Sequence, residues 1–203
     1  MANPAASPPA PDVEAVILAA GLSSRFGGFK LAQPLGDRSV IEHALSGMEG
    51  HVHGVIVVVG WRADLVRSLL AHHVGVRCVT PADSSGGMFG SVRAGLAETR
   101  APRVFLLPGD IPLVGSAVYG AMLATDAPVA IPTFAGRKGH PVLLRRDVVR
   151  EVLAAPADDT LRDIIARRGY AAVPVDDEGI LWDIDTQEDY QRALERLRQR
   201  PRP

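Results

Sequence analysis

The 203-residue chain is short of the features that mark special environments. It has one cysteine, Cys78, so an internal disulfide is excluded, and the apolar stretch 76–79 around it suits a buried thiol in a reducing compartment. It has no surplus of either charge: 22 basic residues stand against 23 acidic ones, a formal net charge of −1, so no global field points to nucleic acid. Nothing approaches the length of a membrane span, and residues 1–11 (MANPAASPPAP) lack the basic and apolar regions of a signal peptide. The expectation is a cytoplasmic protein that uses neither nucleic acid nor a membrane. There is no internal repeat.

What is present is ordinary for a globular protein, with 47% hydrophobic and 22% charged residues. The length suits one domain with a sizeable core. Residues 1–12, rich in Pro and Ala, read as a disordered leader, residues 13–198 as one domain, and 199–203 as a flexible Arg/Pro tail. Apolar runs at 15–17 and 104–107, a continuous β-branched run at 54–59 and a short strand at 76–79 alternate with helical patterns at 39–48, 63–72, 91–98 and 115–124. Ser39 with Glu42 three residues on forms a capping box. The alternation predicts an α/β fold of three layers, a doubly wound, mostly parallel sheet. The second half reads as a strand at 129–131, a loop at 133–140, and strands at 141–144, 170–175 and 181–184. Helices at 159–168 and 187–197 complete it. It predicts a small antiparallel insertion over one edge of the sheet.

The stretch 18–30, LAAGLSSRFGGFK, follows the first strand. Gly21, Gly27 and Gly28 lack a Cβ, so backbone N–H groups there can approach a polyphosphate. Arg25 adds a fork of donors and Lys30 a compact charge. It is not a Walker A loop, because no Ser or Thr follows Lys30, and the dinucleotide pattern G-x-G-x-x-G is absent. The bland alternative is an ordinary glycine-rich turn with two solvated cations. In an open α/β sheet ligands sit beyond the carboxyl ends of strands, where Asp110 and Asp185 also fall. Two such carboxylates, with phosphate and water oxygens, suffice for Mg²⁺. As structural residues, Asp110 would be a turn residue and Asp185 a helix cap; Asp183 is a spare carboxylate. His72-His73 reads as a solvated helix end, and Trp61 and Trp182 as packing residues rather than stacking platforms.

The stretch resembles the L-[AG]-[AG]-G-x-[SG]-x-R-[FM]-G-x-x-K signature of nucleotidyltransferases with a MobA-like fold. The match is carried by Leu18, Ala19, Ala20, Gly21, Ser23, Arg25, Phe26, Gly27 and Lys30. LPGDIPL at 107–113 resembles the family's GDxPL motif, and DIDT at 183–186 with EDY at 188–190 its C-terminal DIDTPEDY. GMFGSVRAGL at 87–96 and GRKGHPVL at 136–143 resemble segments of molybdenum-cofactor cytidylyltransferases. The resemblance spans residues 14–196. The chain departs from the pattern at Ser24, at Ile111, where the branch has Gln, and at Gln187, where it has Pro.

The resemblance implies a Rossmann-like nucleotidyltransferase fold. It implies transfer of CMP from CTP to the phosphate of molybdopterin, with release of pyrophosphate and Mg²⁺ as cofactor. Arg25, Lys30 and Asp110 would be catalytic. Leu18, Ala19, Ala20, Gly21, Ser23, Ser84, Ser85 and Gly86 would join them in binding the nucleotide, Arg93 and His140 would bind the acceptor, and Asp110 and Asp185 the metal. Ala20 resembles the cytidylyl branch, where guanylyl-transferring relatives carry Gly. The product would pass to a molybdenum hydroxylase. The alternatives are GTP as donor, another phosphorylated acceptor, or a non-catalytic module that holds and delivers the cofactor.

Overall fold

A computed structural model describes residues 12–23, 25–82 and 86–199. The expectations for residues 1–11, Ser24, Ser84, Ser85 and 200–203 lie outside them. The first half runs β1 (Val13–Ala19), β2 (Pro34–Leu35), β3 (Arg38–Ser39), α1 (Val40–Ser46), β4 (Gly54–Val59), α2 (Ala63–Leu70), β5 (Val76–Val79), α3 (Gly87–Ala97) and β6 (Arg103–Pro108). The second runs α4 (Ser116–Leu123), β7 (Val129–Phe134), β8 (Arg137–Lys138), β9 (Val142–Arg145), α5 (Arg146–Ala154), α6 (Leu161–Arg168), β10 (Ala171–Pro174) and α7 (Gln187–Gln199). Short 3₁₀ turns occupy Lys30–Ala32 and Glu178–Leu181.

The main sheet has the order β10-β7-β9-β6-β1-β4-β5, with β8 on β7. β1 lies between β4 and β6 and is parallel to both, so that Ile17 stands level with Val57 and Leu107. Side chains alternate across the sheet because the strand period is two. Ala15, Ile17, Val57, Phe105 and Leu107 therefore face one layer, with α1, α2, α4 and α7. Val16, Ile56, Val58, Val104 and Leu106 face the other, with α3, α5 and α6. Each fully buried Val, Leu or Ile contributes about 1.5–3 kcal/mol relative to an exposed one, and the buried polar side chain of β1, Glu14, is satisfied by the N–H groups of Arg100 and Ala101. The three-layer, doubly wound, mostly parallel sheet is as expected.

The second half differs from its sequence reading in physically simple ways. The antiparallel strand β9 is intercalated between β6 and β7, inside the sheet and not over an edge. β7 runs on to Phe134 and turns through Ala135 (φ 47°) and Gly136 (φ 76°) into β8, where a plain loop was expected. α5 was not foreseen, because it follows β9 with no intervening turn residue. Its Val148, Val149 and Val152 fill the layer beside α3. α3 starts four residues earlier than expected, at Gly87. Residues 181–184 form no strand: a 3₁₀ turn leads into an extended segment whose Ile184 N–H donates to the Asp110 carbonyl at 2.9 Å. Cys78 is half-buried and not fully so, because β5 is the sheet's edge; burial pushes its thiol pKa up against the opposing pull of Arg67.

Candidate active site

β1 delivers the chain at Ala19 to the carboxyl edge of the sheet, and the loop that follows is pinned by two aromatic side chains. Phe26 is buried and meets Tyr190 of α7 edge to face at 6.0 Å, and the Gln187 side-chain amide donates to its carbonyl at 3.1 Å. Phe29 is buried against Trp61 at 5.5 Å. Between these anchors a Cβ on Gly27 or Gly28 would meet nothing within 4 Å. The loop is thus fixed at its foot and open at its tip.

Lys30, just past Phe29, points back beneath that loop. Its Nζ lies 2.6 Å from Asp110 Oδ2 and 2.9 Å from Asp185 Oδ1, while Arg25 meets Asp185 Oδ2 at 2.8 Å. Burial alone would lower the Lys30 pKa. The carboxylates of Asp110 and then Asp185 outweigh it and hold the ammonium above its ordinary value, so Lys30 is a cation at any working pH. The two cations differ in setting: the Lys30 side chain is 11% exposed and that of Arg25 74%.

The acidic side is held by backbone. Gly109 donates to the Leu18 carbonyl at 2.9 Å, and a Cβ there would stand 2.9 Å from Ile41 Cδ1 and 3.1 Å from that carbonyl, so the turn presenting Asp110 is closed to other residues. Asp185 does not cap α7. Thr186 does so, in a reciprocal pair with Asp189: the Thr186 N–H donates to the Asp189 carboxylate at 2.8 Å and the Asp189 N–H donates to the Thr186 hydroxyl at 3.2 Å. Asp189 also accepts from the Asp185 N–H at 3.2 Å, and so leaves the Asp185 carboxylate turned to the site. The T-x-x-D spacing of Thr186 and Asp189 was the available signal for this residue. Because one nitrogen sits within 2.9 Å of an oxygen from each carboxylate, Asp110 and Asp185 already bracket a cation-sized space. The donor set is oxygen only: no group of three or more His, Cys, Asp or Glu that could hold a metal occurs among the described residues. Two carboxylates facing an anion cradle fit a hard divalent cation that completes its shell with phosphate and water oxygens.

These groups line a cavity of about 880 Å³. Leu18, Ala19, Ala20, Gly21, Ser23, Arg25, Lys30, Asp110 and Asp185 are all in its wall. Gly86 precedes α3, and its neighbour Gly87, not Gly86 itself, reaches the wall. Arg93 is not brought there: its guanidinium donates to the Leu153 carbonyl at 3.0 Å and joins α3 to α5. His140 lies outside the cavity lining, with Nδ1 buried and unpartnered among the described residues. Burial pushes its pKa down, opposed by Asp110 and Asp183, so the ring is neutral at pH 7. Trp182 packs on the core under Arg196, as expected. Trp61, expected to pack as well, is 42% exposed and lines the cavity with Leu22, Met88 and Ser91. A second cavity, of about 560 Å³, is acidic: Asp177 accepts from the N–H groups of Gly115 and Gly179, and Arg196 pairs with Glu178. No helix among the described residues is long and apolar enough to cross a membrane.

Residues 15–173 match the MobA-like NTP transferase domain family. The chain is 25% identical to the molybdenum cofactor cytidylyltransferase of Escherichia coli K12 over 186 residues, covering 91% of this chain and 96% of that protein. It is 29% identical to the molybdenum cofactor guanylyltransferase of Shewanella loihica over 161 residues, 76% of this chain and 79% of that one. Rv0371c of Mycobacterium tuberculosis H37Rv, solved in complex with manganese, superposes with a TM-score of 0.73 at 27% identity, over 92% of this chain and 99% of that chain. A charged cradle at the carboxyl edge of a doubly wound sheet is what nucleotidyl transfer needs, and the family match agrees with it: the chain belongs to the MobA-like NTP transferases and is a nucleotidyltransferase.

Proposed function

We propose that this enzyme transfers CMP from CTP to the phosphate of molybdopterin, with Asp110 and Asp185 as the residues that would hold Mg²⁺. The observation that carries the reading is the placement of Lys30 and Arg25 on those two carboxylates at the mouth of a glycine-lined cavity. A phosphate oxygen of the acceptor attacks the α-phosphorus of the nucleotide in line. The new P–O bond forms as the α–β anhydride bond breaks, and pyrophosphate leaves with the electron pair. The nucleophile is already an anion, so no general base is needed, and catalysis rests on positioning and charge stabilisation. Lys30 and Arg25 balance charge on the triphosphate, and the N–H groups of the loop after β1 cradle its oxygens. Bound Mg²⁺ supplies charge neutralisation on the reacting phosphates. His140, expected on the acceptor side, lies outside the cavity lining with its Nδ1 buried and takes no part in this reading.

Ala20 and the E. coli cytidylyltransferase support CTP as donor; the Shewanella guanylyltransferase supports the second reading, GTP. The test is pyrophosphate release with magnesium, the purified protein and molybdopterin, comparing CTP, GTP, ATP and UTP. Release with CTP alone is the expected result. Release with GTP alone overturns the donor assignment, and silence with all four overturns the acceptor. On this reading the product passes to a molybdenum hydroxylase in the cytoplasm.

A further inference from the structure

On the function proposed above the phosphates and the metal would be held at the charged half of the cavity, and no role has been given to its apolar half. Among the described residues the large apolar side chains left exposed are Leu22, Trp61, Leu65, Val74, Met88 and Tyr170. Leu22, Trp61 and Met88 all line this one cavity. Scattered single exposures are normal, but three around one concave site mark a surface that a ligand covers.

Trp61 is also held in place more firmly than a solvated side chain requires. Gly60 packs onto the loop after β1 so closely that a Cβ would stand 2.9 Å from the Ala20 carbonyl oxygen. The Ala63 N–H returns to the Gly60 carbonyl at 3.1 Å, and Arg62, between them, is held at φ 59°, a left-handed conformation uncommon for a residue with a side chain. Buried Phe29 sets an edge against the indole at 82°, and the Arg62 guanidinium lies 5.6 Å from the ring centroid. Backbone strain and two ring contacts thus fix an indole on the wall of the cavity.

We infer that Trp61 is the stacking platform for a flat heteroaromatic ring, with Leu22 and Met88 as its apolar neighbours. The ring is either the donor's nucleobase or the acceptor's pterin, and the inference rests on the function proposed above. Stacking is tolerant of ring identity, so Trp61 supplies affinity and leaves the choice of base to hydrogen-bonding groups elsewhere.

The test titrates wild-type protein, Trp61→Phe and Trp61→Ala with CTP, GTP and free pterin in magnesium buffer. It is followed by intrinsic fluorescence and, in parallel, by calorimetry, after far-UV circular dichroism has shown all three folded. The expected result is that a ligand quenches the wild type and not Trp61→Phe. Trp61→Ala should bind that ligand about tenfold or more weakly, whereas Trp61→Phe, which keeps a π face, stays within about threefold. Quenching by a nucleotide assigns the platform to the base, and quenching by pterin alone assigns it to the acceptor. Calorimetric binding with no quenching dependent on Trp61 and no loss in Trp61→Ala overturns the platform while the proposed function stands. Binding of none of the three by calorimetry overturns both.

Discussion

Two glycines show how differently the cavity loops and the core are built. A Cβ on Gly21, in the loop after β1, would meet no heavy atom within 4 Å, whereas one on Gly95, in α3, would stand 2.4 Å from Val16 Cγ1 and 2.7 Å from Val58 Cγ2. Gly95 is a notch that lets α3 close onto β1 and β4. Gly21 leaves room for something that is not protein. The same division holds at Gly87, which lines the cavity and faces open space, and at Gly47, Gly139 and Gly179, which face backbone. Gly109 stands at the border, packed on Leu18 and Ile41 while its neighbour Asp110 faces the cavity. The lesson is that this chain spends glycine on two unrelated problems. A substitution should therefore separate function from stability according to which side it falls on.

The largest expected separation comes from Asp110→Asn. Turnover should fall by about 10³-fold or more, because on the proposed function a carboxylate that would hold the metal is lost. The fold should persist, since Lys30 keeps Asp185 at 2.9 Å. Steady-state pyrophosphate release beside a far-UV circular dichroism spectrum reads both, and retained turnover would remove Asp110 from the metal site. Gly95→Ala should do the reverse. Overpacking against Val16 and Val58 costs about 1–3 kcal/mol, which at this chain length lowers Tm by about 2–4 °C per kcal/mol, with kcat/KM unchanged at temperatures where the protein is folded. Gly21→Ala should leave the unfolding midpoint within about 0.5 kcal/mol. It should also weaken nucleotide binding about tenfold, by placing a methyl group where the triphosphate approaches the backbone. If Gly21→Ala instead lowered Tm as much as Gly95→Ala, the division would collapse.

Much of the fold and of the candidate site was legible in the sequence, though unevenly. Strands β4 and β5 occur at the residues expected, β4 because its β-branched run suits a sheet covered by helices on both faces. α1 starts at its capping box, with the Glu42 carboxylate accepting from the Ser39 N–H at 2.7 Å. The glycine-rich loop after β1, Asp110 and Asp185, singled out by motif, converge in one wall of the cavity. What stayed hidden depends on partners distant in the chain. α5 follows β9 without punctuation, so its pattern of Val148, Val149 and Val152 becomes helical only once α3 is there to receive it. Residues 181–184 have strand-like composition, yet a single hydrogen bond to Asp110 takes the place of a ladder. Arg93 sits in a motif-bearing helix but on the side facing α5, and no spacing rule shows which side of a helix meets a cavity before the helix is docked. Trp61 shows the converse: its composition suggests packing, and only the turn through Gly60 and Arg62 turns it to the cavity.

Asp189 belongs to both regions, and it sharpens the comparison most finely. Its carboxylate caps α7 through Thr186 and holds the backbone of Asp185, so one group ties helix stability to site geometry. The hydrogen bond from Thr186 is the main reason its pKa drops from the ordinary 3.8 to about 2, with further help from Arg192 and the two backbone N–H groups against a desolvation cost. A depressed carboxylate pKa means that the folded state prefers the ionised form. The stabilisation is therefore complete above about pH 4 and is lost as pH falls towards about 2. Asp189→Asn should cost about 1 kcal/mol of stability at neutral pH, the usual worth of a helix cap. The gap between its urea midpoint and that of the wild type should narrow steadily between about pH 4 and pH 2. At pH 7 its kcat should fall several-fold with KM for the nucleotide little changed, because on the proposed function Asp185, which it positions, would hold the metal at the reacting phosphates more than it aids ground-state binding. A constant stability gap across that pH range would detach Asp189 from the cap. An unchanged kcat alongside a narrowing gap would show that α7 needs Asp189 and that Asp185 holds its place without it.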